Sequence, residues 1–301
     1  MKLLFHKMNA IPFDKRQGKI FYNGSFIDWQ DAKVHVLNHG LHYASSVFEG
    51  TRMYNGKIFK NTKHNERLHK SAEIMDFKIP YSVSEMDEIC REACKLNGLQ
   101  DAYLRPVAWR GSEKMQISAQ ENSIHFAVAV WQWPALFADK KKTGIDAVIA
   151  QYRRPPAECA PVFAKAAGLY MIVTISKHEA ERAGFHDAIM LDYHGNIAEA
   201  TGANFFAVFD GEIHTPTPDC FLNGITRQTV MDLAKNLGYK VVERKIHPIE
   251  LEKAQEVFLT GTAAEVTRVA SITAENGQKY SFAENKIFLH LMEKYQELVN
   301  A

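Results

Sequence analysis

The sequence has little that would point to secretion, metal binding or nucleic acid. It contains four cysteines, Cys90, Cys94, Cys159 and Cys220, with no Cys-x-x-Cys pair. That spacing fits neither a zinc site nor a disulfide framework. Cys90 and Cys94 lie one helical turn apart and read as buried thiols, since no nearby histidine completes a metal site. No run of about 18 apolar residues exists, which excludes a membrane-spanning helix. The start, MKLLFHKMNAIPFDKR, is broken at His6 and Lys7 and is too weakly apolar for a signal peptide. A formal net charge of +1 leaves no basic excess for nucleic acid or an anionic membrane. Gly-x-Gly-x-x-Gly, P-loop and internal repeats are all lacking. The default expectation is a cytoplasmic enzyme with no metal site.

What is present suggests two domains. The 301 residues are about twice a common domain length, and an apolar fraction of 46% provides ample core. Asn23-Gly24 and Asn55-Gly56 each separate two apolar runs and predict β-hairpins with type I′ turns. A helix is expected from Asn61, as its N-cap, past Leu68 and Met75, and another over Ser84 to Leu96, stopped by Asn97-Gly98. Strands return at Ala102–Trp109 and Ile124–Trp131. Residues 132–143 read as a linker, with Lys140-Lys141-Lys142 a solvated loop. Beyond it the pattern predicts strands at 145–151, 187–191, 204–209, 212–215, 240–243 and 256–260. Helices are expected over 168–183, from Thr226 to Leu237 with Gly238 as stop, and from about Glu284. The fold class is therefore α+β. Residues 1–131 form a smaller N-terminal domain with 1–18 as an extension, and residues 144–301 a larger C-terminal one.

Four stretches could carry chemistry. Lys165 lies in the small, apolar run Ala160 to Tyr170. Burying an ammonium is expensive unless its amine is paired, neutralised or bonded to a carbonyl cofactor. A snorkelling surface lysine is the commoner case, and composition alone favours it. Glu199 ends an apolar strand before a glycine turn; it could balance a buried cation or simply accept local amides, and the two readings weigh equally. Leu222 to Arg227 leads into a helix whose opening amides and Thr226 hydroxyl could cradle a phosphate, although an ordinary N-cap at Thr226 is the commoner reading. The turn Thr260-Gly261-Thr262-Ala263-Ala264 could present amides to an anion. Together they supply a reactive amine, an anionic counter-group and two anion cradles, which is what pyridoxal 5'-phosphate (PLP) requires.

The same residues carry a family resemblance. Glu199, Thr201, Asn204-Phe205-Phe206, Ile213, Thr215, Leu222, Gly224-Ile225 and Arg227 match the class IV aminotransferase signature. The resemblance to the family also covers His39 to Tyr43, Val47-Phe48-Glu49-Gly50, Glu66 to His69, Tyr103 to Pro106, Ala164-Lys165-Ala166 and Gly261 to Glu265. Within that class the chain most resembles the bacterial branched-chain amino-acid aminotransferases, from about Lys19 to near the C-terminus.

The resemblance implies the two-domain fold-type IV PLP architecture, also that of D-amino-acid aminotransferases, with the cofactor between the domains and the larger domain holding it. It implies transamination of leucine, isoleucine and valine with 2-oxoglutarate, and homodimers or larger homo-oligomers. By it, Lys165 carries PLP and moves the substrate's Cα proton, Glu199 pairs with the ring nitrogen, and Tyr170 bonds the phenolic oxygen. Arg67, the amides of Ile225 and Thr226, and Thr262 hold the phosphate. Tyr103 and the amides of Thr262 and Ala263 bind the substrate α-carboxylate, and Arg105 meets glutamate's side chain. Phe48, Tyr170, Trp133 and the partner subunit's Tyr43 form the apolar pocket. Ala203 and Leu169 depart from the commoner glutamate and asparagine. A D-amino-acid aminotransferase, an amine transaminase or an aminodeoxychorismate lyase would share this fold, and a PLP-free binding protein would have no need for Lys165, Glu199, Arg67 and Thr262.

Overall fold

The computed structural model describes residues 11–301; residues 1–10 of the expected N-terminal extension lie outside them. The chain divides into two compact units. One runs up to Trp133 and includes Ala164–Gly168; the other comprises Pro134–Phe163 and Leu169–Ala301. The sequence pattern assigns 164–168 to the C-terminal domain, yet these residues join the first unit through backbone bonds. Phe48 N donates to Lys165 O at 3.1 Å, and Val47 bridges Ala166.

The first unit is a seven-stranded antiparallel sheet with helices. Its strands are β1 (Lys19–Tyr22), β2 (Ser25–Asp28), β3 (Ser46–Phe48), β4 (Thr51–Tyr54), β5 (Lys57–Ile58), β6 (Ala102–Arg110) and β7 (Ile124–Trp131). They run in the order β2-β1-β7-β6-β4-β5, with β3 also on β6. Asn23 and Gly24, at φ 47° and 101°, form the expected type I′ turn, and Asn55-Gly56 repeats it.

Helices α1 (His39–Tyr43), α2 (Asn61–Ile74) and α3 (Val83–Leu96) accompany the sheet. Asn61 does not cap α2. Lys60 holds the cap position with φ 52°, and the Asn61 amide instead donates to Asp87 O on α3. The helix ends at Ile74, where Arg110, itself buried, donates to Met75 O and Asp76 O. α3 starts from a capping box between Ser82 and Glu85, one residue earlier than the pattern suggests. Cys90 and Cys94 are buried on α3, and burial pushes both thiols up to about 12.

The second unit is built on a nine-stranded sheet. Its elements are β8 (Ile145–Ile149), α4 (Tyr170–Arg182), β9 (Asp187–Leu191), β10 (Ile197–Ala200), β11 (Asn204–Phe209), β12 (Glu212–Thr215), α5 (Ile225–Asn236), β13 (Val241–Glu243), β14 (Glu256–Gly261), β15 (Glu265–Thr273), β16 (Lys279–Ser281) and α6 (Lys286–Asn300). The order is β10-β9-β8-β15-β14-β11-β12-β13, and β10 also pairs with β11. Six strands therefore form a closed circuit, sealed at the pair Glu199–Asn204. Side chains such as Ile145, Ile189, Phe205, Val257, Leu259 and Val269 belong to its apolar core. The nine-residue β15 is absent from the strands expected of the sequence, and α4 begins at Tyr170, after a single 3-10 turn over Ala167–Leu169. Among the described residues no helix is long and apolar enough to cross a membrane.

Candidate active site

In the first unit the lysine is held at its backbone from both sides. Lys165 N donates to the buried Ser71 Oγ at 2.9 Å on α2, while Lys165 O accepts from Phe48 N. Its neighbours Ala164 and Ala166 are buried, and Lys165 itself is half-buried rather than a surface lysine. Its Nζ stands 5.2 Å from the Phe48 ring centroid. The Arg105 guanidinium lies 4.6 Å from the same ring and donates through Nη2 to Tyr103 Oη at 3.1 Å. Arg105 Nε is buried and meets no acceptor among the described residues. Tyr103 in turn meets Trp133 edge-on at 4.8 Å and Trp131 at 5.2 Å. A Cβ on Gly50 would fall 2.0 Å from Tyr103 Oη, so only glycine lets this tyrosine sit against the chain after Phe48-Glu49. Lys165, Phe48, Tyr103, Arg105 and Trp133 thus form one continuous patch. Tyr43, at the end of α1, is 46% exposed and is not part of it.

Arg67 is fixed by a residue to which the sequence pattern gives no role. Glu49, wholly buried, accepts from Arg67 Nε at 2.6 Å and Nη2 at 2.9 Å, and from His64 Nδ1 at 2.7 Å. Burial alone would raise the Glu49 carboxyl, but Arg67 and His64 outweigh it and hold the group well below the usual carboxylate range. The available signal was a carboxylate inside an apolar run, with His64 and Arg67 three apart on one helix face.

In the second unit the seam of the strand circuit gathers the remaining candidates. Glu199 is met by Arg154 Nε at 3.4 Å and by Asn204 Nδ2 at 3.3 Å, both side chains. Asn204 Nδ2 also donates to Leu222 O at 3.0 Å, which brings the start of α5 alongside. A Cβ on Gly224 would fall 2.2 Å from Asn204 Oδ1, so this contact requires glycine. Gly224, not Thr226, is the N-cap of α5, and Ile225 and Thr226 are its first two residues, with their amides at the positive end of the helix. Arg227, fully buried, secures the approach by donating to Asn223, Thr215, Pro216 O and Glu243. Asn204 pairs across β14 with Thr260, so the turn with Thr262 and Ala263 follows at the same end of these strands. Tyr170 opens α4, half-buried. Ala203 is buried in the turn beside Glu199, and Leu169 closes the 3-10 turn before α4.

The first unit offers an amine beside an aromatic floor and the second a carboxylate beside two amide cradles, groups of the kinds that an aminotransferase uses. The family model described as amino-transferase class IV matches residues 46–272, and the chain belongs to that family. A probable branched-chain-amino-acid aminotransferase of Rickettsia felis is 40% identical over 293 residues, 97% of this chain and 99% of the relative. The crystal structure of the branched-chain aminotransferase of Thermoproteus uzoniensis with norvaline has a TM-score of 0.89 at 33% identity, covering 95% of both chains. The branched-chain amino acid aminotransferase of T.th., in complex with N-(5'-phosphopyridoxyl)-L-glutamate, gives a TM-score of 0.88 at 36% identity, also over 95% of both.

Burial pushes His64 below its ordinary value, although Glu49 pulls the other way, so the ring is neutral at pH 7 and Nδ1 donates to Glu49. An unfolded histidine takes up its proton near pH ~6.5, whereas folded His64 resists until the pH is lower. The unfolded state therefore binds protons first, and stability falls as pH drops through that window, by at most about 1.4 kcal/mol per pH unit for one site. Glu49 acts in the same direction below ~4.3. The melting temperature should thus decline from pH 7 to 5, with a shallower slope in His64→Gln. An identical slope in that variant would mean that folding leaves the affinity of His64 for its proton unchanged, and a steeper one that the native protein keeps it protonated.

Proposed function

We propose that the chain is a PLP-dependent aminotransferase that moves the amino group of leucine, isoleucine or valine to 2-oxoglutarate, giving branched-chain 2-oxo acids and L-glutamate. The observation that carries this reading is the patch around Lys165: an apolar aromatic surface with one guanidinium, Arg105, whose Nε is buried without an acceptor among the described residues. Such a surface suits an aliphatic side chain and can also receive a carboxylate. Burying that carboxylate without a cation would cost several kcal/mol. The T.th. relative, complexed with phosphopyridoxyl-glutamate, supports both the cofactor and the glutamate half-reaction.

The residues present fit PLP. A helix start whose close packing demands Gly224 is a ready anion site, and Glu199 is a carboxylate held beside it by Arg154 and Asn204. Arg67, the amides of Ile225 and Thr226, and Thr262 would hold the phosphate; Glu199 would face the ring nitrogen and Tyr170 the phenolic oxygen. When bound, PLP supplies an electron sink for the charge left at the substrate's Cα. Glu199 holds a proton at the ring nitrogen, and Lys165 Nζ takes the proton from Cα. Tyr103 Oη and the amides of Thr262 and Ala263 orient the α-carboxylate. Phe48, Tyr170 and Trp133 would line the side-chain pocket and exclude water from it.

A homodimer fits the same proposal. Val34, Val36, Leu37, Leu41 and Tyr43 are between 46% and 67% exposed within ten residues, an apolar strip that a second copy would cover. The partner subunit's Tyr43 would then complete the pocket.

A donor panel tests the activity. With 2-oxoglutarate as acceptor, L-leucine, L-isoleucine and L-valine should be used, and D-leucine, D-alanine and an aromatic amine should not; preference for a D-amino acid would overturn the assignment. For Arg105→Ala, KM for glutamate should rise roughly 10–100-fold, as expected for a carboxylate that loses its buried partner. KM for leucine should change little, and equal effects on both substrates would refute the role given to Arg105.

A further inference from the structure

The turn joining β14 to β15 has an unusual residue at its end. Gly261 pairs with Glu265 across the ladder, which leaves Thr262-Ala263-Ala264 as the turn. Glu265 has φ 54°, a left-handed conformation that glycine or asparagine adopts readily and a glutamate does not. Its carboxylate is buried, and its partners include Lys141 Nζ and Gln296 Nε2, the latter at 2.9 Å from α6. Lys141 is therefore not the solvated loop residue that the lysine run suggests.

The carbonyl side of the turn is held as well. Leu136 N donates to Ala263 O at 2.7 Å, and Thr267 Oγ1 donates to Ala264 O at 2.6 Å. Arg268 N donates to Lys141 O at 3.4 Å, so residues 136–141 run along both the turn and the first residues of β15. A peptide plane is rigid, and its N–H points opposite to its C=O. Fixing these carbonyls therefore fixes the direction of the Ala264 and Glu265 amides, and with the Glu265 dihedral angles and the Gly261–Glu265 pair it closes both ends of the turn that carries the Thr262 and Ala263 amides. The pairing also has an electrostatic consequence. Without Lys141, a buried carboxylate beside the turn would repel any anion bound there.

We infer that Lys141 and Glu265 are positioning residues that hold the Thr262-Ala263-Ala264 turn in the conformation that receives the substrate's α-carboxylate. This rests on the proposed reading of that turn as the carboxylate site. Neither residue touches substrate. Lys141 cancels the charge of Glu265, and Glu265, anchored by Lys141 and Gln296, keeps the backbone left-handed.

The test uses holoenzyme and 4-methylpentanoate, an unreactive carboxylate with a leucine-like chain. In Lys141→Met and in Glu265→Asn, which tolerates the backbone but loses the anchor, the Kd for 4-methylpentanoate and the KM for leucine should rise roughly tenfold, with kcat within about twofold. Lys141→Arg should restore wild-type values. Unchanged Kd in Lys141→Met, or equal losses in KM and kcat that Lys141→Arg fails to repair, would overturn the inference. Selective 15N labelling separates the site reading from the positioning role. If the amides of Thr262 to Ala264 shift on adding 4-methylpentanoate to wild type while Lys141→Met binds it equally tightly, the site reading stands and the inference falls. If the wild-type amides do not shift, both fall.

Discussion

The strand circuit of the second unit closes through one backbone pair, Glu199 with Asn204, and that closure sets where its chemistry lies. A strand ring of this kind has to be sealed by residues that also satisfy its rim, because polar groups at the end of a packed barrel cannot be left unpaired. Asn204 does both. Its backbone pairs with Glu199 and Thr260, while its side chain bonds Glu199 Oε2 and Leu222 O. The carboxylate, the start of α5 and the Thr262 turn come to the same end of the sheet as a consequence. Gly224 is the other half of the arrangement, since any Cβ there would displace Asn204.

The first unit solves a related problem with a buried charge. Glu49 keeps its negative charge with no exposed surface because a two-pronged bond from Arg67 and a third bond from His64 replace the lost water. The same short stretch also organises the backbone around it. Phe48 N holds Lys165 O, Glu49 N donates to Pro106 O, and Gly50 admits the Tyr103 hydroxyl. A five-residue piece of chain, Ala164–Gly168, is thereby drawn into a unit from which it is distant in sequence.

Where structure depends on neighbouring residues, the sequence is explicit. Asn23-Gly24, Asn55-Gly56 and Asp210-Gly211 form their turns, and Gly98 and Gly238 end their helices with positive φ, because these residues carry the information in their own backbone preferences. Where structure depends on distant partners, local pattern misleads. β15 goes unseen because Glu265 and Arg268 interrupt its apolar alternation, and distant partners, among them Lys141, Gln296 and the carbonyls of Thr143, Phe282 and Ala283, make those charges acceptable. Asn61 looks like a helix cap but is engaged by Asp87 O twenty-six residues away. Lys165 is ambiguous in sequence for the same reason. Its surroundings, not its sequence neighbours, distinguish it from a surface lysine. The resemblance to class IV aminotransferases points to Lys165 and Glu199 as candidate site residues and gives Glu49 and His64 no role.

The central claim is that Lys165 is the amine that bonds the cofactor, and it can be read directly. Purified yellow protein should be reduced with borohydride, digested and mapped by mass spectrometry. A phosphopyridoxyl group is expected on Lys165 alone, with no label retained by Lys165→Ala. A label on any other lysine, or one that survives in Lys165→Ala, would contradict that claim.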